Sequence, residues 1–273
     1  MQLIALPALS DNYIWMLHDG LQALVVDPGQ ATPVRQALSA LDLRLTGILV
    51  THHHPDHVGG VTELLPLLQG PLVGPDEALP VPVTLATTEF SWAGLAVQPM
   101  AVPGHTLGHV AYVLPEVPAL SCREVTAPPG ADGGSNGPSR PLLFCGDTLF
   151  SAGCGRLFEG TPAQMWASLH ALNALPAHTL VCPTHEYTLA NLRFAQAVEP
   201  ANPSVAAHLA HCTALRAQSH PTLPTTLALE RQINPFLRCD APNVVAAALA
   251  QGASGSDALS VFTTLRSWKN HFK

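Results

Sequence analysis

Short apolar runs separated by turn residues fill the first two-thirds of the chain. Leu3–Leu6, Asn12–Leu17 and Leu21–Val26 are brief and β-prone, so they read as strands. Asp27-Pro28-Gly29 ends the third. Thr32-Pro33 opens a helix to about Leu41. Ile48-Leu49-Val50 has the short, β-branched character of a buried strand. Pro55 then suits the first turn of a helix running through Val58–Leu65, which Pro66 ends. Residues 71–114 alternate β-prone pieces with Pro and Gly and close on the strand Val110–Leu114. Leu142–Cys145 and Leu180–Cys182 are further strands. Between them Thr161 is a good N-cap, with Pro162 at the first position, for a helix Thr161–Leu175. Beyond Glu186 the pattern turns helical, over about 188–198, 204–218, 242–250 and 257–271. Alternating strands and helices, then helices alone, predict a mixed layered domain over 1–185 and a helical one over 186–273, an α+β architecture.

One stretch breaks the pattern. From Pro115 to Pro141 the chain is rich in Pro, Gly, Ser and Asp and buries too little apolar surface to order itself. Strand-like sequence resumes directly afterwards, so 115–141 reads as a mobile loop between two strands of one sheet rather than a domain linker.

Composition narrows the function classes. Charged residues are 11% of the chain and apolar residues 47%, against a usual charged share of about a quarter. The formal charge is −7 with no Lys/Arg tract, which disfavours a nucleic-acid face. No apolar run reaches the length of a membrane span, and Met1–Pro7 lacks the basic start and apolar core of a signal peptide. The expectation is a cytoplasmic monomer. The six cysteines show no C-x-x-C pairing, so reduced thiols are expected rather than disulfides. Histidines (14) outnumber Lys plus Arg (12), which fits metal chemistry.

That chemistry concentrates in Thr51-His52-His53-His54-Pro55-Asp56-His57. In an extended segment His52 and His54 point to one side and His53 to the other. The helical turn at Pro55 brings Asp56 and His57 round towards an adjacent point. One stretch therefore offers two neighbouring metal positions. A surface turn or a structural zinc clip is the simpler alternative, but the ordered H-x-H-x-D-H directly after a strand favours functional metal binding. Single candidate ligands recur beside short apolar strands: His109, Asp147 and His185. Imidazoles and carboxylates suit zinc, with iron or manganese also acceptable.

With these residues in view, the chain resembles the metallo-β-lactamase superfamily and, within it, the hydroxyacylglutathione hydrolase (glyoxalase II) family. The matching stretches are Asp11–Tyr13, Thr51–Gly60, Pro103–His109, Gly146–Gly160, His185–Thr188, Glu230–Asn234 and Leu265–Phe272. The resemblance implies an αββα sandwich with a two-metal centre, followed by a C-terminal α-helical domain. It implies that His52, His54 and His109 hold one divalent ion, that Asp56, His57 and His185 hold a second, and that Asp147 bridges them. His53 and His105 are left as loop or supporting residues. It also implies a glutathione thioester as substrate. Arg266 and Lys269 would face its glycine carboxylate, with Arg156 and Tyr187 as further contacts. Phe158 stands where some relatives carry Tyr.

Two metals roughly 3.5 Å apart share one water, and zinc lowers that water's pKa towards about 7. Hydroxide then attacks a thioester carbonyl without a side-chain base, and Asp56 is placed to orient it. The single G-x-S-x-G, Gly133–Gly137, falls inside the Pro/Gly/Ser-rich stretch rather than at a strand-to-helix turn, so it does not read as a nucleophile motif. The implied reaction is hydrolysis of S-D-lactoylglutathione to glutathione and D-lactate. The rivals are a one-iron persulfide dioxygenase of the same superfamily and a non-catalytic glutathione-binding module. Complete ligands for two metals and the Arg266/Lys269 tail favour the hydrolase.

Overall fold

The computed structural model describes residues 1–124 and 139–272. In chain order it begins with β1 (Gln2–Ala8), β2 (Asn12–His18), β3 (Gln22–Val26), α1 (Ala31–Leu41) and β4 (Arg44–Leu49). Two one-turn helices follow, α2 (Pro55–Val58) and α3 (Val61–Leu64), then β5 (Leu72–Gly74), β6 (Thr84–Leu85), β7 (Phe90–Trp92), β8 (Leu95–Ala101) and β9 (Val110–Val117). Next come β10 (Ser121–Glu124), β11 (Arg140–Gly146), the hairpin β12 (Leu149–Phe150) and β13 (Gly153–Cys154), α4 (Pro162–Asn173) and β14 (Leu180–Pro183). The remainder is α5 (Thr188–Val198), α6 (Pro203–Ala217), β15 (Thr225–Thr226), α7 (Leu227–Ile233), α8 (Pro242–Ala250) and α9 (Ala258–His271).

The chain divides into two compact units. The first takes Met1–Ala101, Gly108–Gly146 and Leu180–His185; the second takes Val102–Leu107, Asp147–Thr179 and Glu186–Lys273. The second unit thus contains all of 186–273 together with two earlier segments.

In the first unit one sheet runs β10-β1-β2-β3-β4-β5-β6. Its β1–β2 and β2–β3 pairs are antiparallel, while β3–β4, β4–β5 and β5–β6 are parallel. The other sheet carries β14-β11-β9-β8-β7 in that order. Alternation along β2 explains how the first sheet is buried on both faces. Ile14 and Met16 join a core with Ile4, Val25, Ile48 and the α1 residues Val34 and Leu38. Tyr13, Trp15 and Leu17 point the other way and are also buried. There Trp15 Nε1 donates to Pro183 O at 2.9 Å, and Tyr112 Oη donates to Val50 O at 2.8 Å. These bonds tie a strand of each sheet to the segments that end at the histidine motif and at His185.

The helix expected through Val58–Leu65 is broken into α2 and α3. The Gly60 N–H donates to Pro28 O at 2.8 Å instead of continuing the helical ladder. A Cβ on Gly59 would meet Gly29 O at 2.7 Å, and one on Gly60 would meet Pro28 O at 2.7 Å. The glycine pair thus lets the turn after β3 seat against the metal-motif segment. Pro66 lies within a 3-10 turn, Leu65–Leu67, so it continues the chain's curvature by one turn. Of the stretch 115–141, Val117 still belongs to β9, and Ser121–Glu124 form β10, which pairs parallel with β1. Residues 125–138 of that expected loop lie outside the described residues.

The second unit is mainly helical. Thr161 caps α4 reciprocally: its Oγ1 accepts from the Gln164 N–H, and the Gln164 side chain accepts from the Thr161 N–H. Leu192 and Ala195 of α5 pack with Val205, Cys212 and Ile233. Phe194 lies 5.1 Å from Trp268 and 5.8 Å from Phe236 by ring centroids. Helix α7, absent from the sequence expectation, is capped by Thr226, whose Oγ1 accepts from the Leu229 N–H.

Candidate metal centre

Within the first unit, six potential ligands converge. The His52 ring sits 4.6 Å from that of His54, 4.0 Å from that of His57 and 4.7 Å from that of His109. His52 Nε2 and His54 Nδ1 face each other at 3.0 Å. Beside them, Asp56 Oδ2 lies 3.6 Å from His57 Nε2 and 3.4 Å from His185 Nε2. Donors bound tetrahedrally at about 2.1 Å stand about 3.4 Å apart, so the Asp56, His57 and His185 atoms match one ion's coordination sphere. By proximity alone Asp56, His57 and His185 form a group that could hold a metal ion. His52, His57 and His109 are fully buried. His53 points away, its Nδ1 2.9 Å from Glu77 Oε2, as the extended segment requires.

The rings are aimed by a surrounding layer of polar groups. Asp27 accepts from the Thr51 N–H and Oγ1–H, each at 2.7 Å, and its Oδ2 lies 3.0 Å from His57 Nδ1. Asp11 Oδ1 lies 2.8 Å from His185 Nδ1. A ring that donates its Nδ1–H to a carboxylate presents the Nε2 lone pair to a metal, and the carboxylate raises that nitrogen's basicity. Asn12 Nδ2 donates to Asp56 Oδ2 at 3.1 Å. Asp27, Asp11 and Glu77 were not singled out from the sequence. The signal for Asp27 was there: an acidic residue directly after an apolar strand, the same placement that marked Asp147. Asp27 holds a left-handed backbone, φ 51°, a conformation Asp tolerates better than most side chains.

Gly146 ends β11 against this cluster. Its φ is +48°, and a Cβ there would meet Thr51 Oγ1 at 2.5 Å and His109 Nε2 at 2.8 Å. Asp147, the next residue in the chain, belongs to the second unit. There it is buried, with Oδ2 3.4 Å from His105 Nε2. His105 Nδ1 in turn faces Arg156 O at 2.9 Å.

The second unit holds a cavity of about 520 Å³, to which Asp147, Arg156, Phe158, Tyr187, Arg266 and Lys269 all contribute. Every substrate contact implied by the resemblance therefore lies on one wall or another of a single cavity. Phe158 is 62% exposed and meets the His105 ring edge-on at 5.2 Å. The two α9 cations differ. Arg266 is 5% exposed; its Nη1 donates to Cys154 O at 2.8 Å and its Nη2 to Asn270 Oδ1 at 3.1 Å. Its guanidinium fork is thus engaged within the protein and holds the turn after β13. Lys269 is half-buried, its Nζ 5.3 Å from the Phe194 ring centre. Burial, and then the positive charge of Arg266, lower its pKa to about 8.

Glu230 fixes the hairpin that lines this cavity. It is wholly buried and accepts from Ser151 Oγ, Ala152 N, Thr225 Oγ1 and Asn234 Nδ2 at 2.7–3.1 Å. Asn234 Nδ2 also donates to Phe150 O and Gly153 O. Burial pushes the Glu230 carboxyl above the ordinary glutamate range, and the four donors pull it back only in part.

Comparison with known proteins agrees with this division of labour along the chain. A model described as metallo-beta-lactamase superfamily matches residues 9–122, and one described as hydroxyacylglutathione hydrolase C-terminus matches residues 186–272. A hydroxyacylglutathione hydrolase of Albidiferax ferrireducens is 53% identical over the whole of both chains. The chain belongs to the hydroxyacylglutathione hydrolase family. Another member, from Cupriavidus taiwanensis, is 48% identical over 98% of each chain. Among solved structures, TTHA1623 in a di-iron-bound form is 25% identical, with a TM-score of 0.54 over 86% of this chain and 99% of that one. The fold is accordingly of the metallo-β-lactamase type with a C-terminal helical region, and the His/Asp cluster of this hydroxyacylglutathione hydrolase family member is a site for divalent metal.

Proposed function

We propose that this chain hydrolyses the thioester of S-(2-hydroxyacyl)glutathione, chiefly S-D-lactoylglutathione, to glutathione and a 2-hydroxy acid, the second step of methylglyoxal detoxification. The observation that carries the reading is the convergence of His52, His54, Asp56, His57, His109 and His185 in a chain 53% identical over its full length to a protein named hydroxyacylglutathione hydrolase. The donor set of nitrogens and carboxylate oxygens fits two zinc ions per chain, and iron or manganese equally by ligand type.

Each residue has a definable task. His52, His54 and His109 would hold one ion, and Asp56, His57 and His185 the other, with Asp147 as the shared ligand. Metal bound there supplies a Lewis acid and a water acidic enough to ionise near neutral pH. Asp56 would hold metal on the His57/His185 side and orient the attacking oxygen by accepting a hydrogen bond from it. A C–O bond forms at the thioester carbonyl, the C–S bond breaks, and glutathione leaves as its thiolate, which takes its proton from solvent. A thiolate is a good leaving group, so no general acid is required. Lys269 and Arg156 would attract the carboxylates of glutathione to the cavity, and Tyr187 and Phe158 would pack its peptide. Arg266 would keep the Cys154–Gly155 wall in place behind them.

The deciding experiment is incubation of the purified, metal-loaded protein with S-D-lactoylglutathione. Release of glutathione and D-lactate at enzymatic rates is expected. Turnover at background level, with two metals bound and the fold intact, would reject the proposal.

A further inference from the structure

One carboxylate in the first unit touches both chain segments that carry the His52/His54/His109 ligands, and no step above uses it. Glu77 lies in the turn after β5, and its side chain is 7% exposed. Its Oε2 accepts from the backbone N–H of His53 at 2.8 Å and lies 2.9 Å from His53 Nδ1. Its Oε1 accepts from the backbone N–H of Gly108 at 2.8 Å. The His53 amide sits between His52 and His54, and the Gly108 amide immediately precedes His109. A single carboxylate therefore clamps the ligand pair and the single ligand, which lie far apart in sequence, by charge-assisted bonds to their backbones.

We propose that Glu77 is a positioning residue for the His52/His54/His109 metal position. The inference rests on the functional reading above, in which those three side chains share one ion. Glu77 touches no ligand nitrogen of the three. It acts by fixing the two backbones, so that the rings are held ready before metal arrives. Groups that orient metal ligands from outside typically matter 10–100-fold in metal affinity. The Asp56/His57/His185 position has its own supports, Asp27, Asp11 and Asn12. Removal of Glu77 should therefore weaken one position and spare the other.

Glu77→Gln separates positioning from bulk. The amide is the same size, but it presents a donor on one side. Either the His53 N–H or the Gly108 N–H then meets an NH₂ group, whichever way the amide turns. Gly108→Ala tests the same contact from the opposite partner, because its Cβ would meet Glu77 Cγ at 2.5 Å and displace it.

The measurement is titration of the metal-stripped full chain with Co²⁺, followed by its visible spectrum, and with Zn²⁺ in chelator competition. Wild type should take up two equivalents. In Glu77→Gln and Gly108→Ala one equivalent should weaken by 10-fold or more while the other keeps its wild-type affinity. Should Glu77→Gln fail to fold, Gly108→Ala alone decides. Two equivalents bound as in wild type, or both weakened alike, would overturn the proposal. The titration needs no substrate. Failure of wild type to cleave S-D-lactoylglutathione would overturn the functional reading without touching this result.

Discussion

Single side chains here do work that their residue type alone does not announce. Lys269 is the clearest case. With a pKa lowered to about 8 by burial and by Arg266, its positive charge is complete well below pH 8 and is lost as pH rises through that value. An anionic thioester bound beside it should show KM rising above pH 8, by up to about tenfold one unit higher, with kcat unchanged. Lys269→Arg keeps its charge across that range and should flatten the KM profile; an unaltered rise in that variant would remove Lys269 from substrate binding. Glu230 presents the opposite problem, a carboxyl raised by burial. A raised carboxyl pKa means that its contribution to stability is present below the ordinary glutamate range and is lost as pH climbs through the folded value. Glu230→Gln keeps all four bonds. Its oxygen can accept from Ala152 N and Asn234 Nδ2, while its amide donates to the Ser151 and Thr225 hydroxyls, which can turn to accept. Thermal unfolding should therefore find Glu230→Gln at least as stable as wild type at pH 7, with the difference shrinking near pH 4. Glu230→Ala leaves buried donors unsatisfied and should lose on the order of 3 kcal/mol. Equal losses in both variants would contradict this account.

Elements place these residues, and here the sequence was legible in some parts and opaque in others. The strand ends were readable because apolar runs stop abruptly at His52, Asp147 and His185, and α5, α6, α8 and α9 lie where the helical period put them. The helix after Pro55 was not, because its break depends on a tertiary bond, Gly60 N–H to Pro28 O, that no local pattern encodes. Strand β10 was hidden inside a Pro/Gly-rich window, and its pairing with β1 is likewise long-range. Helix α7 was missed because it is short and opens inside a Pro- and Thr-rich stretch, Pro221–Thr226. Asp27 reads only as part of the turn that ends a strand, Asp11 only as part of a family-matched stretch, and nothing local marks Glu77, because the partners each one bonds are distant in sequence. The end of β11 gives a test at this scale. Gly146 combines φ +48° with contact distances to Thr51 and His109 that no Cβ can occupy. Gly146→Ala costs about 1–2 kcal/mol of backbone strain and pushes on the ring of His109, a proposed metal ligand. Metal analysis should find affinity lowered at least about tenfold; full retention of two metals would show that the strand end tolerates the methyl group.

On the scale of the whole molecule, the proposed ligands come from segments scattered along the chain: 52–57 after β4, His109 before β9, and His185 after β14. The first unit is itself assembled from three stretches of chain. Metal that binds only when these stretches are together stabilises the folded chain by mass action and closes long loops that the unfolded chain keeps open. At free metal one hundredfold above Kd, each site contributes about 2.7 kcal/mol. For a domain of this size 1 kcal/mol moves Tm by about 2–4 °C. Loss of metal from even one site should then lower Tm by about 5–10 °C. Clusters of mutually facing imidazoles and a carboxylate have no apolar alternative packing to fall back on, so the stripped protein also keeps several buried polar groups in close contact, which adds to the loss. The experiment is calorimetry of the chelator-treated chain, its metal content verified, followed by re-addition of Zn²⁺. A fall in Tm that re-addition reverses, in step with return of thioester hydrolysis, is the expected outcome. An unchanged Tm in verified metal-free protein would mean that the ligand segments are held together by the fold alone.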